Sequence, residues 1–413
     1  MCNFCPKSLV CIDKAISLHS FKLNVQKILR YSIMEKSFIS FVENSIKKNW
    51  DLDALTDYKG ATLQYKDVAR KIEKLHIIFE NSGVVKGDKI AICGRNSSHW
   101  GVVFLATLTY GAVAVPILPE FKADNVHNIV NHSEAKLLFV GDMVWENLNE
   151  AAMPLLEGII LVNDFSILVS RSEKLTYSRE HLNELFGKKF PKNFRIKHIN
   201  YHKDQPEELA VINYTSGTTS YSKGVMLPYR SLWSNTQFGF DVLPLKSGDE
   251  LISMLPMAHM YGLAFEFLYE FACGCHIYFL TRMPSPKIIF QAFAEIKPRI
   301  IIAVPLIIEK IIKKNVLPKL ETPTMKLLLK VPFINDKIKH TVRDQVVKAF
   351  GGNFEEVVVG GAAFNQEVEQ FLKMIEFPYT VGYGMTECGP IICYEDWKLF
   401  KAASCGKAVP RME

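Results

Sequence analysis

The sequence predicts an α/β fold of mostly parallel sheets flanked by helices. Two observations carry that expectation. Short apolar runs alternate with segments of helical apolar spacing along most of the chain, the pattern of repeated strand–helix–strand units. One such run, Leu209 to Ile212, opens into the loop Tyr214-Thr-Ser-Gly-Thr-Thr-Ser-Tyr-Ser-Lys-Gly-Val225, so a strand ends where a ligand loop begins. At 413 residues the chain also exceeds the size at which single cores stop growing, and several subdomains are expected.

The elements follow in order. Val68, Ile72, Leu75 and Phe79 place a helix over 65–81, and Lys89 to Cys93 reads as a strand. Trp100 to Leu118 is nineteen residues without a formal charge, long enough to span a membrane. Gly111 and Pro116 interrupt it and Asn96-Ser-Ser98 offers a helix cap, so it reads as a buried helix to Tyr110 and a strand over 112–115. A helix over 124–131 and a strand over 136–140 come next. The charged, weakly periodic stretch 164–194 reads as a surface insertion. Beyond the loop come a helix over 229–240, a strand over 250–254, a helix over 263–271 and a strand over 276–280. A strand over 300–304 leads into a helix, and a strand over 356–359 follows.

Composition excludes several classes. Hydrophobic residues make up 48% and charged residues 22% of the chain, ordinary for a globular protein. A net charge of +6 suits acidic ligands or contact at the periphery of an anionic membrane, and no basic–aromatic stripe argues for nucleic acid. Nine scattered cysteines suggest no disulfide framework, so a reducing cytoplasm is expected. Cys2, Cys5, Cys11 and His19 have incomplete zinc spacing, and Cys273-Gly-Cys-His276 reads as part of a buried strand. Residues 1–33 read as an extension of uncertain status ahead of a natural start at Met34, with residues 34–413 forming the main domain.

The loop holds six Ser/Thr residues, two glycines and a lysine. Backbone N–H groups, hydroxyls and a cation together suit a polyphosphate. It lacks the Gly-Lys-Ser/Thr of the nucleoside-triphosphatase loop. By composition alone it could also be a polar surface loop.

The order of its residues resembles the signature of the adenylate-forming enzymes: acyl-CoA ligases, peptide-synthetase adenylation domains and luciferases. The match covers Tyr214, Thr215, Ser216, Gly217, Thr218, Thr219, Lys223, Gly224 and Val225, with Ser220 and Ser222 standing where that family has Gly and Pro. Four more stretches resemble family elements in the same order: Leu255 to Gly262 around His259, Val359 to Ala363, Tyr383-Gly-Met-Thr-Glu387, and Ser404 to Pro410. The resemblance runs from about residue 35 to 413 and is strongest to long-chain fatty acyl-CoA ligases. It implies two mostly parallel sheets on either side of the loop.

The resemblance also implies roles. Thr215, Ser216, Gly217, Thr218, Thr219 and Lys223 would hold the β- and γ-phosphates of ATP. Glu387 would bind magnesium, Thr386 the α-phosphate, and His259 would stand near the carboxylate. Tyr383, with Gly384 beside it, would stack on adenine, and Gly361, Ala362 and Ala363 would cover the other face. Coenzyme A would be the acyl acceptor. From the residues alone, Glu387 could be a helix-start acid, Tyr383 a core aromatic and His259 structural.

The resemblance implies that an amino-acid-activating member would place an Asp near the position of His259 to hold the amine, and here no acidic residue follows until Glu266. An acid without an amine is therefore expected, a long-chain fatty acid first, with aryl, medium-chain and amino acids open. Phe238, Phe240, Met254, Met257, Leu263, Phe265 and Phe267 are candidates for an apolar tunnel or for plain core. Family members continue past the equivalent of Glu413 into a small mobile domain carrying a lysine needed for adenylation. The 413-residue chain is thus expected to bind nucleotide weakly and not to complete the thioester, and a catalytically inactive nucleotide- or lipid-binding fragment stays open as an alternative.

Overall fold

Residues 37–215, 222–281, 285–315, 318 and 334–412 are described by a computed structural model. The N-terminal cysteines, His19 and Met34 lie outside these residues, as do Ser216, Gly217, Thr218 and Thr219 of the loop. Seventeen strands occur among the described residues. In chain order they begin with β1 (Asp53–Asp57), β2 (Thr62–Gln64), β3 (Lys89–Cys93), β4 (Val113–Ile117), β5 (Ala135–Val140), β6 (Gly158–Leu161), β7 (Ile167–Ser170), β8 (Leu209–Thr215) and β9 (Lys223–Pro228).

One sheet has the order β7-β6-β5-β3-β4-β8-β9. Its five inner strands are parallel, and β7 and β9 close the two edges antiparallel. Parallel strands need crossover helices on the sheet faces, which bury both sides. The helix Ser98–Tyr110 supplies one crossover. Ser97 caps it by accepting from the Trp100 N–H at 3.1 Å, and left-handed Gly111 ends it. Its residues from Trp100 to Thr109 are all buried, which is why the stretch carries no charge. Among the described residues no helix is long and apolar enough to cross a membrane.

The second parallel layer is divided. The strands β10 (Glu250–Ser253), β11 (His276–Phe279), β12 (Ile301–Ala303), β13 (Val357–Val359), β14 (Tyr379–Val381), β15 (Tyr383–Gly384), β16 (Ile391–Tyr394) and β17 (Lys407–Ala408) complete the set. They form sheets β10-β11-β1-β2, β12-β13-β14 and β15-β16-β17. The first two are parallel apart from the hairpin partner β2, and the last is antiparallel. A bond from the Arg299 N–H to the Glu250 carbonyl, 3.0 Å, brings the chain entering β12 beside β10 without forming a ladder.

Three expectations change. The stretch 164–194 is no appended insertion: β7 extends the large sheet, and the helices Glu173–Glu180 and Leu182–Lys189 pack on the helix Tyr65–Asn81, with Leu175 and Leu182 in the main core. Its weak periodicity reflects short elements: β7 buries none of its residues fully and the two helices bury only one or two each. The helix expected over 263–271 is α-helical at Met260–Leu263, π-helical at Ala264–Leu268 and α-helical again at Tyr269–Cys273. Cys273 ends that helix at left-handed Gly274, so Cys273-Gly-Cys is a helix stop ahead of β11 and not strand.

Candidate functional site

The carboxyl ends of β13 and β14 open into Gly360-Gly361 and Gly382-Tyr383, and a cleft lies there. Ligands of open α/β sheets bind at this end of the strands. The cleft measures about 600 Å³, its open mouth included. His259, Gly361, Tyr383, Gly384 and Thr386 all line it, together with Phe238, Phe265 and Tyr261. Tyr383 and Met385 are 51% and 43% exposed and form the mouth, whereas Phe238, Ile302, Val358 and Tyr394 are buried and form the deep end.

Each wall is held by side chains that the motifs do not contain. Asn96, after β3, donates to the Leu255 carbonyl at 2.6 Å and accepts from the Met257 N–H at 2.9 Å. Asn213 on β8 donates to the Ala258 carbonyl at 2.9 Å. The two amides thus fix the segment leading to His259. Tyr261 reaches back to the Val358 carbonyl at 3.1 Å. Its ring lies so close to Gly360 that a Cβ there would sit 3.0 Å from it. Asn235, on the helix Tyr229–Val242, donates to the Cys388 carbonyl at 3.1 Å and accepts from the Ile391 N–H at 2.9 Å. It pins the short helical turn Thr386–Cys388. Gly384 has no alternative, because a Cβ there would lie 2.3 Å from the Pro390 carbonyl oxygen. Sequence reasoning missed Tyr261, Asn235, Asn213 and Tyr394, and the one available signal was that Tyr261 lies inside the His259 motif.

Other expected residues surround the cleft without lining it. Thr215 and Lys223 pair directly across the β8–β9 hairpin, and β9 packs on the turn that carries Thr386 and Glu387. The base of the Ser/Thr loop therefore stands beside Glu387. Both Lys223 and Glu387 are exposed and have no ion pair among the described residues. Ala362 and Ala363 are exposed in the loop after β13. Among the candidate tunnel residues, Phe238 and Phe265 line the cleft. Met257, Leu263 and Phe267 belong to the main core, Met254 to a second core, and Phe240 is 40% exposed.

The electrostatics separate rim from support. His259 stands at the rim with its ring exposed, yet nearby protein desolvates it enough to hold its pKa below the usual imidazole value. Its Nδ1 accepts from the Tyr261 N–H at 3.3 Å, which leaves Nε2 to carry the proton of the neutral ring. Glu266 is fully buried in the π-helical segment. One carboxyl oxygen accepts from the Met254 and Leu255 N–H groups at 2.9 and 2.7 Å, and burial pushes its pKa far up. It supports the start of the His259 segment and does not line the cleft. Glu356 accepts from the Tyr394 hydroxyl at 2.7 Å, and burial raises its pKa to about 7. No cluster of three or more His, Cys, Asp or Glu capable of holding a metal occurs among the described residues. A single free carboxylate such as Glu387 still suits a hard cation that a phosphate ligand also coordinates.

The model of the AMP-binding enzyme family matches residues 42–413. Long chain acyl-CoA synthetase 3 of Arabidopsis thaliana is 26% identical over 376 residues, covering 84% of this chain and 55% of its own length. Long-chain-fatty-acid--CoA ligase 5 of Rattus norvegicus is 27% identical over 362 residues, covering 79% and 50%. The chain thus spans about half the length of the curated relatives it matches. Among solved structures, the N-terminal domain of FACL13 from Mycobacterium tuberculosis superposes with a TM-score of 0.67 at 19% identity, covering 91% of this chain and 82% of that one. The anthranilate CoA ligase AuaEII in complex with anthranoyl-AMP superposes with a TM-score of 0.69 at 17% identity, covering 91% and 64%. Parallel-rich sheets flanked by helices, a cleft at their carboxyl ends and a family match over most of the length agree, and the chain belongs to the AMP-binding enzyme family.

Proposed function

We propose that this protein belongs to a ligase that activates an apolar carboxylic acid with ATP and passes the acyl group to coenzyme A. The observation that carries the proposal is the convergence of His259, Gly361, Tyr383 and Thr386 on one cleft, with Lys223 and Glu387 on elements packed beside it. A carboxylate oxygen attacks the α-phosphorus, the bond to the β-phosphate oxygen breaks, and pyrophosphate leaves. The thiol sulfur of coenzyme A then attacks the acyl carbon and AMP departs.

Two anions must meet in the first step, so the phosphate charge has to be offset. Lys223 and the hydroxyls of Thr215, Ser216, Thr218 and Thr219, with the Gly217 backbone, are assigned the β- and γ-phosphates. The Thr386 hydroxyl donates to the α-phosphate, and His259 Nε2 orients the carboxylate at the mouth. Tyr383 stacks on adenine, and Gly361, Ala362 and Ala363 allow the close approach of a flat ring from the other side. Glu387 would hold magnesium, which when bound supplies further neutralisation of phosphate charge.

The nature of the acid is narrowed by Glu266. It is the first acidic residue after His259, and it is spent on two backbone N–H groups outside the cleft. An ammonium would find no counter-charge there, which disfavours amino acids. The names of the curated relatives support a fatty acid. The apolar deep end supports the same class without fixing its length. Thermal shift with a non-hydrolysable acyl-adenylate, and AMP as control, tests the proposal. A ligand at a hundredfold excess over Kd stabilises the folded state by about 2.7 kcal/mol. No shift with either compound would sink it.

A further inference from the structure

Between Phe186 and Lys203 the chain carries six cations and no acid: Lys188, Lys189, Lys192, Arg195, Lys197 and Lys203. The segment starts in the helix Leu182–Lys189 and runs through the short turn Ile196–His198. Its ion pairs lie at its two ends. Lys188 meets Glu184 at 2.5 Å, Lys189 meets Glu80 at 3.3 Å and Glu73 at 3.5 Å, and Lys203 meets Glu43 at 3.6 Å. Lys192, Arg195 and Lys197, between them, are exposed and have no ion pair among the described residues.

Apolar surface stands beside these free charges. The Phe190 ring lies 5.0 Å from Phe186 and 4.9 Å from Phe194, and Trp50 meets Phe194 at 5.9 Å. Phe190 and Phe194 are half-buried, and Ile196, between Arg195 and Lys197, is 39% exposed. Unpaired cations on long stems around partly exposed rings and an exposed isoleucine suit an anionic lipid surface, where head groups answer the charges and apolar tips enter between them. A nucleic acid fits less well. Base stacking needs free ring faces, and Phe190 is already packed by three rings, those of Phe186, Phe194 and His198. We propose that the surface around Lys192, Arg195, Ile196 and Lys197 is a docking site for the anionic face of a membrane. None of these residues lines the adenylate cleft, so the inference stands independently of that assignment.

Co-sedimentation of the 413-residue chain with vesicles tests it. Phosphatidylcholine vesicles are compared with vesicles containing about 30% phosphatidylserine. The expected result is roughly tenfold or tighter binding to the anionic vesicles, weakening as salt rises from about 0.05 to about 0.5 M because the charges are screened. Each Lys or Arg near such a surface strengthens binding roughly fivefold, so Lys192→Glu, Arg195→Glu and Lys197→Glu together should weaken it by on the order of a hundredfold or more. Lys287→Glu, Lys373→Glu and Lys401→Glu together, at exposed positions elsewhere on the chain, change the net charge equally and should cost about a tenth of that or less. Equal binding to the two kinds of vesicle, or equal losses in the two triple variants, would overturn the proposal. So would a single-stranded oligonucleotide that binds more tightly than the anionic vesicles and is released by the first triple variant. Ile196→Ser should weaken vesicle binding several-fold, and an unchanged affinity would overturn the apolar half of the proposal. Should the first triple variant fail to fold, Lys197→Glu alone, with roughly a fivefold loss expected, is read in its place.

Discussion

Replacing Asn235 with alanine tests whether the turn bearing Thr386 and Glu387 is held from behind. The side chain is 3% exposed and makes three hydrogen bonds, to the Ser231 and Cys388 carbonyls at 2.8 and 3.1 Å and from the Ile391 N–H at 2.9 Å. The Ser231 carbonyl lies inside the helix and keeps its helical partner. The Cys388 carbonyl and the Ile391 N–H lose theirs. A buried polar group left unpaired costs about 1–3 kcal/mol, so the pair should cost about 3 kcal/mol. For a chain of this length the melting temperature should fall by roughly 3–4 °C. The freed turn should also weaken binding of an acyl-adenylate analogue by about tenfold, or ~1.4 kcal/mol. Thermal melting followed by circular dichroism reads the first effect and calorimetric titration the second. A lower melting point with undiminished affinity would refute the reasoning, because the turn would then carry no part of the ligand site. An unchanged melting point would mean that the hydrogen bonds contribute nothing that water does not replace.

Gly384→Ala should abolish analogue binding and cost about 1–3 kcal/mol, since its Cβ would stand 2.3 Å from the Pro390 oxygen; Gly187→Ala, with nothing within 4 Å of the added carbon, is the control in the same titration. Glu356 supplies a pH test. Burial, with Asp396 and Glu355 adding to it and the Tyr394 hydroxyl opposing it, raises its pKa from 4.5 to about 7. The folded state then holds the proton more tightly than the unfolded chain, so this contribution is complete below about pH 4.5 and is lost as pH rises through about 7. The loss amounts to at most about 3 kcal/mol. Urea denaturation on either side of that window should show it, and Glu356→Gln should flatten the profile. Burial pushes the Glu266 pKa far up, and Glu266→Gln, which keeps an acceptor for both N–H groups, should change stability by less than about 1 kcal/mol, whereas Glu266→Leu strips the Met254 and Leu255 N–H groups of their acceptor and should cost about 2–4 kcal/mol. Equal unfolding free energies for the two variants would contradict that assignment.

The parallel layers were legible because crossover units impose two distinct periods on one chain. The helix Tyr65–Asn81 and the strand Lys89–Cys93 match their expected limits, since each has a clear apolar face or a bounded apolar run. Strand ends were less legible. The β8 strand continues to Thr215 where the apolar run stops at Ile212, because Asn213, Tyr214 and Thr215 are held by pairing with β9 and not by their own hydrophobicity. The π-helical segment was hidden for a different reason. Its extra residue per turn breaks a 3.6-residue period over five positions only, and its cause is tertiary: Glu266 turns inward to meet backbone donors at the end of β10.

Within the site, legibility follows how narrowly a position constrains its residue. Gly384 faces the Pro390 carbonyl oxygen at a distance that no Cβ tolerates, so only glycine serves there and a motif appears, while at Gly360 an added Cβ would press on the Tyr261 ring at 3.0 Å. Phe238, Phe265 and Tyr394 form the cleft floor with residue types that the rest of the core also uses, so nothing in the sequence distinguishes them from Phe267 or Phe271. The asparagines that hold the walls are harder still. Asn96, Asn213 and Asn235 each satisfy backbone groups of a segment distant in sequence, 161, 45 and 156 residues away. A buried asparagine cannot remain unpaired, but its sequence neighbourhood does not say with whom it pairs. A position that backbone geometry confines to glycine is thus one a linear pattern can expose, while the rings of the cleft floor and the asparagines that hold its walls become visible only when the two layers are brought together.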